Sequence, residues 1–209
     1  MTKFMNLPSL VLARIGSLKE YEHQVPVLLS FLLLTATSWG QGQYALSTNA
    51  DGSIYAYSTN GDGSVSIEGY SGPPWAVTIP TNISGRTVTS IGAGAFTGPF
   101  FSADVSLTTV TIPGTVTNIG DYAFYNCSGL TEVTLSYGLI EIGDEVFSDD
   151  NALSRITIPD SVINIGDGAF ENCAGLANVF FQGNAPAALV GDDSDDGTNV
   201  FYAPATCYY

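Results

Sequence analysis

LTTVTIPGTVTNIGDYAFYNCSG (residues 107–129) is followed without a gap by LTEVTLSYGLIEIGDEVFSDDNA (130–152), LSRITIPDSVINIGDGAFENCAG (153–175) and a shortened LANVFFQGNAP (176–186). Leu107, Leu130, Leu153 and Leu176 therefore open successive units of 23 residues. A fixed period in this range marks a solenoid, in which each supersecondary unit stacks on the next and none is stable alone. Such an array offers a long regular surface rather than a pre-formed catalytic cleft.

Inside one unit the residue pattern predicts the local structure. Leu107, Val110 and Ile112 alternate as a half-buried strand requires, and Pro113 ends it. Val116 and Ile119 form a second short apolar pair, and Gly120 permits the turn that follows. Ala123, Phe124 and Cys127 lie at the spacing of one helical turn, which would bury Phe124. Phe124, Phe147 and Phe170 should then stack as an aromatic ladder, one ring per layer.

Working outward, an irregular first unit precedes the regular ones. Its VTIP (77–80), VTSIG (88–92) and Ala95-Phe96 match residues 110–113, 116–120 and 123–124. Five extra residues near 82–86 and five more near 98–102 should project from the stack, because insertions in a solenoid map to loops. Before Ser71-Gly72-Pro73-Pro74, YALSTNADGSI (44–54) and YAYSTNGDGSV (55–65) form a smaller tandem repeat. Each pairs a β-prone stretch with an Asn/Asp-Gly turn, so a short meander is expected there, placed to cap the array.

The repeat motif resembles the BspA-type leucine-rich repeat family, a bacterial surface-protein branch of the leucine-rich repeats. Ile112-Pro113, Ile119-Gly120, Ala123-Phe124 and Cys127 carry the resemblance, together with Ile158-Pro159, Ile165-Gly166, Ala169-Phe170 and Cys173. The middle unit departs from it at Ser136, Val146 and Asp150. The resemblance implies a mainly β solenoid of ~23-residue units, each with one parallel strand and a short helical turn, preceded by a small β cap. It also implies an exported protein used for adhesion or for binding proteins or glycans, and it supplies no catalytic residues. The chain then divides into a signal peptide (1–40), an N-terminal β cap (41–74), a leucine-rich repeat solenoid (75–186) and an acidic loop with an incomplete C-terminal segment (187–209).

Composition narrows the partners. The chain has 209 residues with 20 acidic and 5 basic side chains, a net charge of -15. From Gln41 onward only Arg86 and Arg155 are positive, and only Glu20 and Glu22 of the carboxylates lie before it. Such a surface repels phosphate backbones and anionic membranes, which argues against nucleic acid. Residues 25–36 (VPVLLSFLLLTA) are too short an apolar run to span a bilayer and suit a signal-peptide core. Ser38-Trp39-Gly40 offers a cleavage site before Gln41, so the mature chain is expected to be secreted or at the cell surface with no membrane insertion. An uncleaved anchor, a buried helix or a misplaced start codon are the rival readings.

Candidate chemistry is sparse. Cys127 and Cys173 are two layers apart, about 10 Å at about 4.8 Å per layer, beyond disulfide reach, and read as small buried hydrophobes. Cys207 is an unpaired thiol in the tail. The DG turns and the acidic run 192–196 bring hard oxygen ligands together, but the run lacks the closing glutamate of a calcium loop. The carboxylate pairs Asp144/Glu145 and Asp149/Asp150 are adjacent rather than set across a cleft, so a carboxylate-based glycosidase is a distant alternative. Neither cofactor nor metal is implied. What remains is the sheet face, where alternation points Thr109, Glu132, Arg155 and Asn178 outward in one row and Thr111, Thr134, Thr157 and Phe180 in the next. Glu132 and Arg155 should lie side by side as a cross-strand pair. These rows either solvate the sheet or bind a protein or glycan. The rival to binding is a structural spacer.

Overall fold

The computed structural model describes residues 44–73, 75–97, 107–184, 186, 188–189, 200–201 and 206–208. The expected signal segment (1–40), the second insertion near 98–102 and the acidic run 192–196 lie outside the described residues.

An antiparallel meander comes first: β1 (Ala45–Thr48), β2 (Ile54–Thr59) and β3 (Val65–Ser71). The two loops joining them are built alike. The Asn49 and Asn60 N–H groups each donate to the carbonyl four residues on (2.8 Å in both), and Gly52 and Gly63 adopt φ of 84° and 87°. In each loop one aspartate oxygen accepts both the N–H and the hydroxyl of the following serine, at 2.9 and 2.7 Å for Asp51 and 2.9 and 2.6 Å for Asp62. Those bonds, the serine hydroxyl first, hold both carboxyls below their usual range. The aspartates of the DG turns thus close their own loops.

Pairing then becomes parallel. After β4 (Ala76–Thr78) and β5 (Asn82–Ile83), β6 (Arg86–Ile91) pairs with β3. Each following unit supplies a longer strand and a two-residue strand: β7 (Thr109–Ile112) and β8 (Asn118–Ile119), β9 (Glu132–Leu135) and β10 (Glu141–Ile142), β11 (Arg155–Ile158) and β12 (Asn164–Ile165). β13 (Asn178–Phe181), β14 (Ala188–Leu189) and β15 (Thr206–Tyr208) complete the described elements. The two-residue strands β8, β10, β12 and β14 extend the sheet begun by β1–β3 and β6, in the order β1-β2-β3-β6-β8-β10-β12-β14, with β5 against β6. The longer strands make β4-β7-β9 and β11-β13-β15. Each unit therefore holds two strands where the sequence reading expected one, because the Val116/Ile119 pair also has a ladder to join.

The first insertion does not project freely as expected. It folds back as the β5–β6 hairpin through Ser84 (φ 53°) and Gly85 (φ 80°). Ile83 is buried at its tip, and the Tyr57 hydroxyl donates to the Ser84 hydroxyl at 3.2 Å. A buried apolar side chain and a hydrogen bond from the meander hold the insertion against the rest of the fold.

The expected helical turn is replaced by a run of tight turns, and no helix occurs among the described residues. Tyr122 (φ 59°) and Asn126 (φ 57°) sit in the left-handed region, as do Glu145 (50°), Asp149 (64°) and Asn172 (55°) one or two units on. A residue there every fourth position breaks helical continuity. Alternate amides serve different partners instead. The N–H groups of Tyr122, Phe124 and Asn126 donate to the carbonyls of Asp144, Val146 and Ser148 in the next unit at 2.9, 3.0 and 2.8 Å. Those of Ala123, Tyr125 and Cys127 donate back three residues at 3.2, 3.1 and 3.2 Å. The turn segment is thereby a further ladder between layers.

The aromatic ladder is present and longer than the sequence pattern foresaw. Phe124, Phe147 and Phe170 stack at centroid spacings of 5.5 and 5.4 Å with planes within 14°. The stack runs on through Phe96 (4.7 Å) to Tyr70 (5.4 Å), against which Tyr55 lies tilted by 52° at 5.0 Å, and on the other side to Phe201 (5.3 Å). Val200 accepts the Phe170 N–H at 3.0 Å. The layered core thus continues past Pro186, into the segment read from sequence as an incomplete tail.

Candidate functional site

Strand alternation builds the outward face from the register of the longer strands. Val77, Val110, Val133, Ile156 and Val179 point into the core, which leaves their neighbours facing out. One row runs Ala76, Thr109 and Glu132, then Arg155, Asn178 and Thr206. The other runs Thr78, Thr111 and Thr134, then Thr157, Phe180 and Tyr208. All eight residues expected on this face are on it. Thr109, Thr111 and Asn178 are half-buried and the other five exposed.

One expected pairing is not made in a ladder. Hydrogen-bonded pairing stops between β9 and β11, so Glu132 lies opposite Thr109 and Arg155 opposite Asn178. Pro159 follows β11 on the side where each strand donates to the one before it. The equivalent Ser136 and Gln182 amides donate to Ile112 and Ile158 at 3.1 and 3.0 Å. Proline has no such donor, so the β9–β11 joint lacks that bond, as does the β4–β7 joint at Pro113, where a ladder forms all the same.

The Thr row ends in two aromatic rings. Phe180 and Tyr208 stack at 4.8 Å with planes 14° apart, and remain 38% and 45% exposed. Tyr208 was missed from sequence because residues 182–205 interrupt the period before β15 brings it into register. Its signal was the β-prone TCYY ending the chain. Cys207 beside it faces Val179 in the ladder and packs partly buried on the core, and none of the three cysteines forms a disulfide.

The carboxylates weighed as catalytic groups are engaged elsewhere. Asp121 and Asp144 each accept the N–H of the residue 23 positions on, Asp144 and Asp167, at 3.0 and 2.9 Å. Glu145 accepts the Tyr122 hydroxyl at 3.0 Å, and that bond raises the phenol's pKa. Asp149 and Asp150 face different environments, Asp149 half-buried and Asp150 with no exposed surface.

A sequence profile described as the BspA type leucine-rich repeat region matches residues 89–188 in six copies. A leucine-rich repeat protein of known structure from Bacteroides capillosus ATCC 29799 is 30% identical, with 66% of this chain and 99% of that one covered and a TM-score of 0.55. The chain belongs to the BspA-type leucine-rich repeat family. A T. pallidum leucine-rich repeat protein is 32% identical over 60% of this chain and 68% of its own, with a TM-score of 0.48. The pneumococcal vaccine antigen PcpA is 20% identical over 66% of this chain and 38% of its own, with a TM-score of 0.50, a likeness of fold. Comparison with curated proteins finds no match.

Against the family repeat, Asp150 is the conspicuous departure. It occupies the column of Cys127 and Cys173, and neither carboxyl oxygen has a hydrogen-bond partner. The Cys127 N–H that faces it already donates to the Phe124 carbonyl. Burial pushes the Asp150 carboxyl up to about 9. Burial likewise pushes the Cys173 thiol up to about 12 and raises Cys127, with Asp150 adding to both. The Cys173 thiol donates to the Phe147 carbonyl at 2.9 Å. Among the described residues no cluster of His, Cys, Asp or Glu is arranged to hold a metal ion.

Proposed function

We propose that the chain is an exported, non-enzymatic recognition or adhesion module that binds a protein or glycan ligand through the outward sheet face of its array. The observation that carries this reading is the Thr row ending in Phe180 and Tyr208, an ordered, largely exposed surface whose apolar and hydroxyl groups are in register within each ladder. Exposed aromatic side chains are the usual anchors of recognition surfaces. Family membership supports a surface-protein role, and the apolar run 25–36 before Gln41 supports export. The meander of β1–β3 serves as the N-terminal cap of the array. The engagement of Asp144 by a backbone amide and of Glu145 by the Tyr122 hydroxyl, with Asp150 buried, favours binding over catalysis.

The test is an array of glycans and extracellular-matrix proteins probed with the full chain and with Arg155→Glu and Thr134→Arg. Association should occur at micromolar concentrations, and Thr134→Arg should abolish it while the circular dichroism and melting profile stay unchanged. Arg155→Glu should weaken any ligand whose footprint reaches the first row. Binding unaltered by both substitutions would remove the ligand from this face, and no binding at all by a folded chain would move the assignment to a spacer.

A further inference from the structure

Charge separates the kinds of ligand this face accepts. Apart from Lys3, Arg14 and Lys19 near the start, the chain's cations are Arg86 and Arg155. Arg86 is on β6, where its guanidinium donates to the Thr59 hydroxyl at 2.9 Å. Arg155 is the single cation of the outward face and shares it with Glu132. A sulfated or carboxylated polymer would meet no cluster of positive charge there and a net charge of -15 overall. A basic protein segment would be drawn to the Asp121, Asp144 and Asp167 column on the turn side rather than to an uncharged row.

The Thr row has another chemistry. Each hydroxyl both donates and accepts, matching the ambivalence of sugar hydroxyls, and each methyl offers a small apolar footing. Within each ladder, from Thr111 to Thr134 and from Thr157 to Phe180, strand spacing sets these groups about 4.8 Å apart. Phe180 rises at the end of the row as a step. Tyr208 covers one of its faces at 4.8 Å, and the neighbour on the other side is the shorter Thr157. An aromatic face is electron-rich and attracts the polarised C–H groups that line one side of a pyranose.

We infer that this face takes an uncharged saccharide, its hydroxyls on Thr111, Thr134 and Thr157 and the C–H side of one sugar ring against Phe180. The inference rests on the recognition reading above and names its ligand class. The first row contributes little beyond shape, since Glu132 and Arg155 nearly cancel in charge.

The full chain is titrated by calorimetry with cello-, manno- and xylo-oligosaccharides, with heparin as the anionic comparator and the matrix proteins of the array as protein comparators. At least one neutral oligosaccharide should bind and heparin should not. Phe180→Ala should weaken binding by about tenfold, the scale of one well-made aromatic contact. Thr157→Val, which removes a hydroxyl at constant shape, should weaken it several-fold with melting unchanged, so that a role of Phe180 in folding does not decide the outcome. Neutral sugars that bind equally to both variants would overturn the site. A protein comparator that binds through Thr134 while no sugar binds would overturn the saccharide and leave the recognition function standing. A folded chain that binds neither sugar nor protein would overturn both.

Discussion

At position 150 the array puts a carboxyl where the units on either side carry a thiol. Cysteine suits the site because it is small and weakly polar, and Cys173 needs only the Phe147 carbonyl for its proton. A carboxylate in the same column would be a buried charge without a counter-ion, so the group keeps its proton instead. Its folded-state value of about 9 lies above the ordinary 3.8. Between those values the folded protein holds a proton that the unfolded chain has lost. Stability from this group is therefore complete below the ordinary value, falls as pH rises through neutrality, and is fully lost above about 9. The gradient is about 1.4 kcal/mol per pH unit, or roughly 4 kcal/mol by pH 7. Asp150→Asn cannot ionise, so its stability relative to the parent chain should climb by about that gradient from pH 5 to pH 8 in urea unfolding. Asp150→Cys, restoring the residue of the adjacent layers, should exceed the parent by several kcal/mol at pH 7. Parallel pH profiles for the parent and Asp150→Asn would mean that the carboxyl ionises freely.

Among the elements, the strands were legible and the turns were not. Alternation at Val110 and Ile112, with Pro113 after them, is enough to place β7 and its outward threonines. The Phe124, Phe147 and Phe170 spacing is enough to place the ring stack. The segment carrying those phenylalanines was misread as helical because Ala123, Phe124 and Cys127 keep a helical spacing. Of its left-handed residues, Tyr122 and Glu145 give no local warning of positive φ, whereas Asn126, Asp149 and Asn172 are of the types that adopt it most readily. Only the ladder to the next unit, which supplies an acceptor for every second amide, holds them there. Tyr208 and Phe201 were hidden for a related reason: the chain returns to the stack after a break in the period. Phe147 tests the element level directly, since it has a ring on each side at 5.5 and 5.4 Å and no exposed surface. Phe147→Ala opens a cavity between two layers that cannot collapse without shortening the ladders. It should lower stability by about 3–5 kcal/mol in chemical denaturation. A loss under about 1 kcal/mol would place the ring outside the packed core.

For the molecule as a whole, the repeat that builds the core also aligns its charges. Because units recur every 23 residues, like residues fall in columns, and Asp121, Asp144 and Asp167 stand one above another, linked through backbone amides at 3.0 and 2.9 Å. Those bonds fix each carboxylate about one layer from the next, near 4.8 Å. At that range like charges repel by about 1 kcal/mol even in water. With two cations against the acids that follow Gln41, little in the chain offsets the repulsion. Unfolding separates the columns, so the folded state carries most of the penalty at low ionic strength. Sodium chloride should therefore stabilise the protein. Raising it from about 0.01 M to about 0.15 M shortens the Debye length from about 30 to about 8 Å. Each kcal/mol of relieved repulsion should raise the melting temperature by about 2–4 °C for a chain of this size. Replacing Asp144 by Asn removes the middle charge while keeping an oxygen to accept the Asp167 amide, and should reduce that salt response. A melting temperature that stays flat or falls with sodium chloride, measured by calorimetry at pH 7, would mean that the columns are already neutralised by groups of the folded chain.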